Sequence, residues 1–230
     1  MFDLTAQDWT AILLSLRIAS VATAVALPFG IAVALLLARK DFIGKPLLDA
    51  AIHLPLVLPP VVTGYLLLIT LGRRAPVGAF LSDHFGIVVA FRWTGAVISC
   101  GVMAFPLMVR AIRLSLEAID ARLEDAAATL GARPLMVFFT VTLPLALPGI
   151  IAGAMLAFAR ALGEFGATIT FVSNIQGETQ TLPLALYTLT QVPGGEQGAM
   201  RLCMISVVLG MAALVASELL ARRFAARMKG

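Results

Sequence analysis

Five long apolar stretches joined by short charged links leave this chain few ways to fold. They run at about Ala11–Ala38, Leu47–Leu71, Trp93–Met108, Leu145–Ser173 and Met200–Leu220. Most reach or exceed the ~20 residues that cross a bilayer as a helix. In lipid every backbone N–H and C=O must find an internal partner, so such stretches are expected to be helices. Composition agrees: 60% of residues are hydrophobic and 13% charged, with a mean hydropathy of +0.97, far from a soluble average. With 230 residues there is room for five spans and their links. The expectation is an all-α membrane protein forming a single domain, 1–230.

Ahead of the first stretch the charges are Asp3 and Asp8, where a secretory signal would be basic, so no cleavage is expected. Arg17 reads as an interfacial anchor, and Pro28 and Gly30 are expected to bend the span. The second stretch contains HLPLVLPPVVTGYLLL, in which Pro55, Pro59 and Pro60 each lack a backbone donor, so it is expected to be broken or kinked. Broken backbone at membrane depth survives where protein or a water-filled cavity satisfies it. Pro59, Pro60 and Thr63 are therefore candidate pathway residues, a packing kink being the alternative. Asp49 and His53 stand one turn apart and read as a structural pair. On the third stretch, Trp93 suits an interfacial belt, and Gly95, Gly101 and Ala104 suit close helix packing. Cys100 and Cys203, inside apolar runs, read as ordinary buried thiols and not as a disulfide or metal site.

Between the third and fourth stretches lies LEDAAATLGARPLMVFFTVTLP, Leu123 to Pro144. Apolar residues from Leu116 to Leu130 follow helical spacing, with Glu117, Asp120, Glu124 and Asp125 on the other side, which predicts one amphipathic helix. Gly131 suits the end of that helix and Pro134 the first turn of a second, through Leu135–Phe139. Small alanines on such a knob would let a partner's backbone approach; a solvated loop is the other reading. Asp125, Ala126, Ala127, Gly131, Val141, Leu143 and Pro144 stand at the spacing of the EAA motif, and the chain here resembles the permeases of ABC importers, with Asp for the usual Glu and Val for the usual Ile. The resemblance implies a type I ABC importer permease whose coupling helices, about 117–142, dock on a separate ATPase subunit. Glu124, Asp125, Ala126, Ala127, Leu130, Gly131, Val141, Leu143 and Pro144 are its candidate docking residues.

Lys and Arg fix an orientation. Arg39, Lys40, Lys45, Arg110, Arg113, Arg122, Arg133, Arg222, Arg223, Arg227 and Lys229 fall on one side, against Arg73, Arg74, Arg92 and Arg201 on the other. Because positive loops stay inside, the N-terminus is expected outside and the C-terminus in the cytoplasm. The basic tail then serves as a headgroup anchor, accounts for much of the pI near 9.6, and makes nucleic-acid binding unnecessary.

The fourth stretch is too long for one straight span. Arg160 and Glu164 can pair one turn apart, and Gly163 and Gly166 loosen the helix around them. Thr168, Thr170 and Ser173 offer hydroxyls nearby, and with Arg160, Glu164 and Gly166 they are read as support for a gate. In the following loop, Leu182–Leu189 is too short to span and predicts a re-entrant or interfacial helix. Beyond the motif, HLPLVLPPVVTGYLLL and RALGEFGATITFVSNIQGETQTLPLALYTL resemble the membrane subunits of bacterial molybdate ABC importers over nearly the whole chain. The sulfate/thiosulfate permeases look similar through Arg-x-x-Gly-Glu. This resemblance implies a homodimer with the path at its interface, two ATPase subunits, a periplasmic molybdate-binding protein, residence in the bacterial inner membrane, and no cofactor on this chain, ATP and Mg being held by the ATPase.

Two other classes compete. An intramembrane hydrolase would use polar groups such as Asp49, His53, Arg160 and Glu164, yet no nucleophile stands beside a base: Ser99 and Ser206 have no His at helical spacing. A passive channel or secondary transporter would need no docking motif and usually shows an internal repeat.

Overall fold

A computed structural model describes residues 4–229, with side chains from 217 onward described in part. Asp3 and the side chains of Arg222, Arg227 and Lys229 lie outside the described residues. Helix α1 (Ala6–Arg39) opens with a capping box in which Thr5 Oγ1 accepts from the Asp8 N–H and Asp8 Oδ2 from the Thr5 N–H. Its helical backbone continues through Pro28 and Gly30. A turn at Gly44 (φ +96°) leads into α2 (Lys45–Val57), and α3 (Pro60–Leu71) leaves it at 114°. Leu58 and Pro59, each preceding a proline, are extended, because a proline ring clashes with helical backbone before it. Pro55 lies inside α2 without ending it.

The loop after α3 holds a further short helix, α4 (Pro76–Phe85), with Pro76 at its start and left-handed Gly86 at its end. Then come α5 (Trp93–Glu117), α6 (Ala121–Thr129), α7 (Pro134–Val137), a π-turn (Phe138–Thr142), α8 (Leu143–Leu162), α9 (Gly166–Val172), α10 (Leu182–Thr190) and α11 (Glu196–Lys229). Among the described residues four helical segments are long and apolar enough to cross a membrane, and the bent α2–α3 pair makes up to five. The third span continues nine residues beyond the expected Met108, carrying Arg110 and Arg113 on its end.

Helix α5 is central, packed between α1 and α8. Ile18, Ala22, Cys100 and Phe171 cluster toward the start of α1, and Leu37, Met108, Ile112 and Ile150 toward its end. Lipid tails are as apolar as leucine, so small residues and close contact hold such helices together. At Gly149 of α8 a Cβ would lie 2.1 Å from the Ser115 Cβ, so no larger residue permits the observed α5–α8 approach. Gly95 and Ala104 do lie at packed positions, but Gly101 faces open space; the tightest glycine on this seam comes from α8. Helix α10 fills the expected 182–189 segment and packs on α1 and α11, its Leu182 N–H donating to Ser15 Oγ at 2.6 Å.

Candidate functional site

The knob is built from α6, α7 and the π-turn. Its first helix is shorter than periodicity predicts: α5 ends at Glu117, and Asp120 Oδ1 accepts from the Arg122 N–H at 3.0 Å, capping a new helix. Aspartate is a favoured N-cap, so this break was legible in residue type though hidden in the apolar pattern. After α6 the chain reverses at Gly131, φ +87°, a left-handed position that suits glycine. The expected second helix is not a separate element. It passes through the π-turn into α8, so Val141, Leu143 and Pro144 form the foot of a span. Pro144 has no N–H to give the Thr140 carbonyl, and the wider turn just before it, in which the Leu143 N–H reaches Phe138 O, accommodates the lost bond.

Glu124 and Asp125 face different surroundings. Glu124 Oε1 accepts from Arg39 Nη2 at 2.9 Å and from Thr142 Oγ1 at 2.7 Å, an intrachain junction of α1, α6 and the π-turn. Asp125 is exposed, as are Ala126 and Gly131, while Ala127 is half-buried. Leu130 is 89% exposed, and Leu135, Met136 and Phe139 are also exposed, forming an apolar tip. Behind the tip, a cavity of about 530 Å³ lies between the end of α1 and the knob, with Leu36, Ala128 and Phe138 in its wall.

The candidate gate residues gather where two helix breaks meet. At Gly166, the start of α9, a Cβ would lie 2.8 Å from Pro60 Cβ; at Gly64 of α3 it would lie 2.5 Å from the Ala167 carbonyl. The Pro59–Pro60 break thus packs directly on the Gly163–Phe165 break, a juxtaposition no local spacing announces. Arg160 Nη1 pairs with Glu164 Oε2 at 2.6 Å, and Glu164 Oε1 accepts from the Ala167 N–H at 2.8 Å, so one buried carboxylate bridges the ends of α8 and α9. Thr63 is buried. Thr168 turns into the core toward Ser99 (3.3 Å) and so faces no open path, while half-buried Thr170 donates its hydroxyl to the Gly166 carbonyl. Ser173 holds φ +67°, its carbonyl accepting from Thr179.

Besides Arg39–Glu124, two ion pairs are not legible in spacing. Asp49, expected to pair with His53, also meets Arg113 Nη1 at 3.1 Å, and Arg113 binds Glu117 at 2.7 Å, beside a cavity of about 370 Å³. Asp8 pairs with Arg201 at 2.6 Å, joining the starts of α1 and α11. Arg17 stacks over Trp93, its guanidinium carbon 4.1 Å from the ring centroid.

The profile of the family described as "Binding-protein-dependent transport system inner membrane component" matches residues 26–230. The chain belongs to this family. The permease is 64% identical over 95% of its length to the molybdenum transport system permease protein ModB of Escherichia coli (strain K12), covering 96% of that relative. It is 58% identical to the ModB of Haemophilus influenzae, over 94% of this chain and 95% of the relative. Among solved structures, the bacterial ABC transporter that imports alginate matches with a TM-score of 0.77 at 16% identity, over 96% of this permease and 80% of that chain. An inward-facing MetNI methionine ABC transporter matches at 0.73 and 17%, over 96% and 99%. These likenesses show the fold: the permease is an all-α type I ABC importer permease. It is a multi-pass inner-membrane transport subunit, not an enzyme.

Proposed function

We propose that this chain is the permease of an ATP-driven importer of molybdate, acting as a homodimer with two ATPase subunits and a periplasmic binding protein. The observation that carries the substrate is the 64% identity, spread over 95% of the chain, to a molybdenum permease. The exposed apolar tip and Asp125 supply the docking face for the ATPase, which holds ATP and Mg; this chain holds neither. The Lys and Arg count supports an outer N-terminus and a cytoplasmic C-terminus, with the knob inside.

ATP binding closes the ATPase dimer, the paired knobs follow, and the path at the homodimer interface turns from inward-facing to outward-facing; hydrolysis resets it. The bent α2–α3 pair and the α8–α9 break are the segments of this chain that line or gate the path. Arg160 there is charge-compensated by Glu164, so an oxyanion is held weakly, which suits release. Selectivity then rests mainly on the binding protein.

The test is ATP-dependent uptake of labelled molybdate into vesicles holding the assembled complex, competed by tungstate and by sulfate. Competition by tungstate alone supports the molybdate reading. Equal competition by sulfate retracts it to a general oxyanion importer.

A further inference from the structure

We infer that Glu124, Arg39 and Thr142 form a clamp that transmits movement of the docking knob to α1 and to the foot of α8, with Glu124 a positioning residue and not a contact for the ATPase. The inference rests on the docking role proposed above. Helix α6 has only nine residues. It hangs between two turns, the Ala118–Asp120 break and the reversal at Gly131. A short helix hinged at both ends would swivel under a push from a partner and pass little of it on. Something must bind it sideways to the spans.

Glu124 Oε1 does so. It accepts a charge-assisted bond from Arg39 Nη2 at 2.9 Å, at the last residue of α1, and a second bond from Thr142 Oγ1 at 2.7 Å, at the end of the π-turn. Thr142 is 4% exposed and both charged side chains are more than three-quarters buried, so the bonds are partly shielded from water although all three residues line the cavity behind the tip. Asp125, the adjacent acid, is exposed, and its side chain makes no hydrogen bond or ion pair among the described residues. Neighbouring helical positions point about 100° apart, so Glu124 reaches the spans while Asp125 lies at the exposed edge of the cavity between α1 and the knob. The clamp also grips the chain where its helix is widened by a π-turn, a feature that recurs at functional sites.

The experiment uses the assembled complex in vesicles, with Glu124→Leu, which removes the oxygen that accepts both bonds, and Thr142→Val, and Asp125→Lys for comparison. Three quantities are read: ATPase retained on purification, ATP hydrolysed, and molybdate taken up per ATP. The expected result is full retention in the first two variants with uptake per ATP lowered roughly tenfold, within the usual range for coupling between distant sites. Asp125→Lys instead loses ATPase. An unchanged ratio in both clamp variants overturns the inference, and so does loss of ATPase from Glu124→Leu, which would make Glu124 a docking residue.

A second readout needs no transported ion. Spin labels at Ile43→Cys and Arg122→Cys, both exposed, are placed in a Cys203→Ser background because Cys203 is also exposed. Their separation should stay fixed between nucleotide-free and ATP-bound complexes and become nucleotide-dependent in Glu124→Leu. A separation that changes with nucleotide in the unmodified clamp overturns the inference. If the unmodified complex takes up no molybdate, the substrate reading fails, and this distance still decides the clamp.

Discussion

Replacing Glu164 removes a carboxylate that is 2% exposed and serves two helices. In Glu164→Ala the Ala167 N–H loses a bond to a charged acceptor, worth about 1.5–3 kcal/mol. Arg160 also loses its partner. Stranding a fully buried charge costs about 3–5 kcal/mol, but the Arg160 side chain is 27% exposed and water recovers part of this. A combined loss of about 3–5 kcal/mol follows. Glu164→Gln keeps an oxygen for the Ala167 N–H but turns its NH2 toward Arg160 Nη1, so the ion pair is lost while the Ala167 bond and the side-chain volume are kept, for about 1–2 kcal/mol. At about 2–4 °C per kcal/mol for a chain of this size, alanine should lower the melting temperature by about 10 °C and glutamine by about 4 °C. Purified protein in detergent, heated and then assayed for the monodisperse fraction, measures both. Equal losses for the two variants would refute the helix-bridging role, and no loss for alanine would refute the burial argument.

Other perturbations test separate contacts. Gly64→Ala should push α3 off α9, because its Cβ would meet the Ala167 carbonyl at 2.5 Å, whereas Gly101→Ala enters open space; uptake should fall in the first and not the second. Ser15→Ala removes the acceptor for the buried Leu182 N–H, a cost of about 1–3 kcal/mol, and should speed proteolysis between 173 and 195 without affecting the knob. A membrane-impermeant maleimide should label Asp83→Cys from the outer face of intact cells and Arg122→Cys only after permeabilisation; the reverse pattern would invert the topology. Cys100 is buried as its apolar run predicts, but Cys203 is exposed on the surface of α11, so Cys203 should react in detergent while Cys100 stays protected.

Much of this was readable in residue order because lipid makes backbone satisfaction compulsory. The prolines at 59 and 60 had to break their helix, and the excess length from Leu145 to Ser173 had to be interrupted, as it is at Gly163–Phe165. The Arg160–Glu164 pair was legible because it is local, four residues apart on one helix. Tertiary partners were not. Arg39 lies 85 residues from Glu124 and Arg201 lies 193 from Asp8, and periodicity carries no signal for either. The same limit explains why Glu124 and Asp125 read alike as docking acids, although the fold turns one inward. Thr168 read as an available hydroxyl for the same reason, since only packing shows it buried against Ser99.

The central claim is that this permease moves its substrate only when an ATPase drives it through the knob. The most direct measurement is uptake of labelled molybdate into vesicles containing the permease with its ATPase and binding protein, with ATP, the ATPase or the binding protein withheld in turn. The account predicts uptake against a gradient when all are present and none when any is withheld. Uptake by the permease alone, flowing down its gradient without ATP, would contradict it and mark the chain as a passive channel.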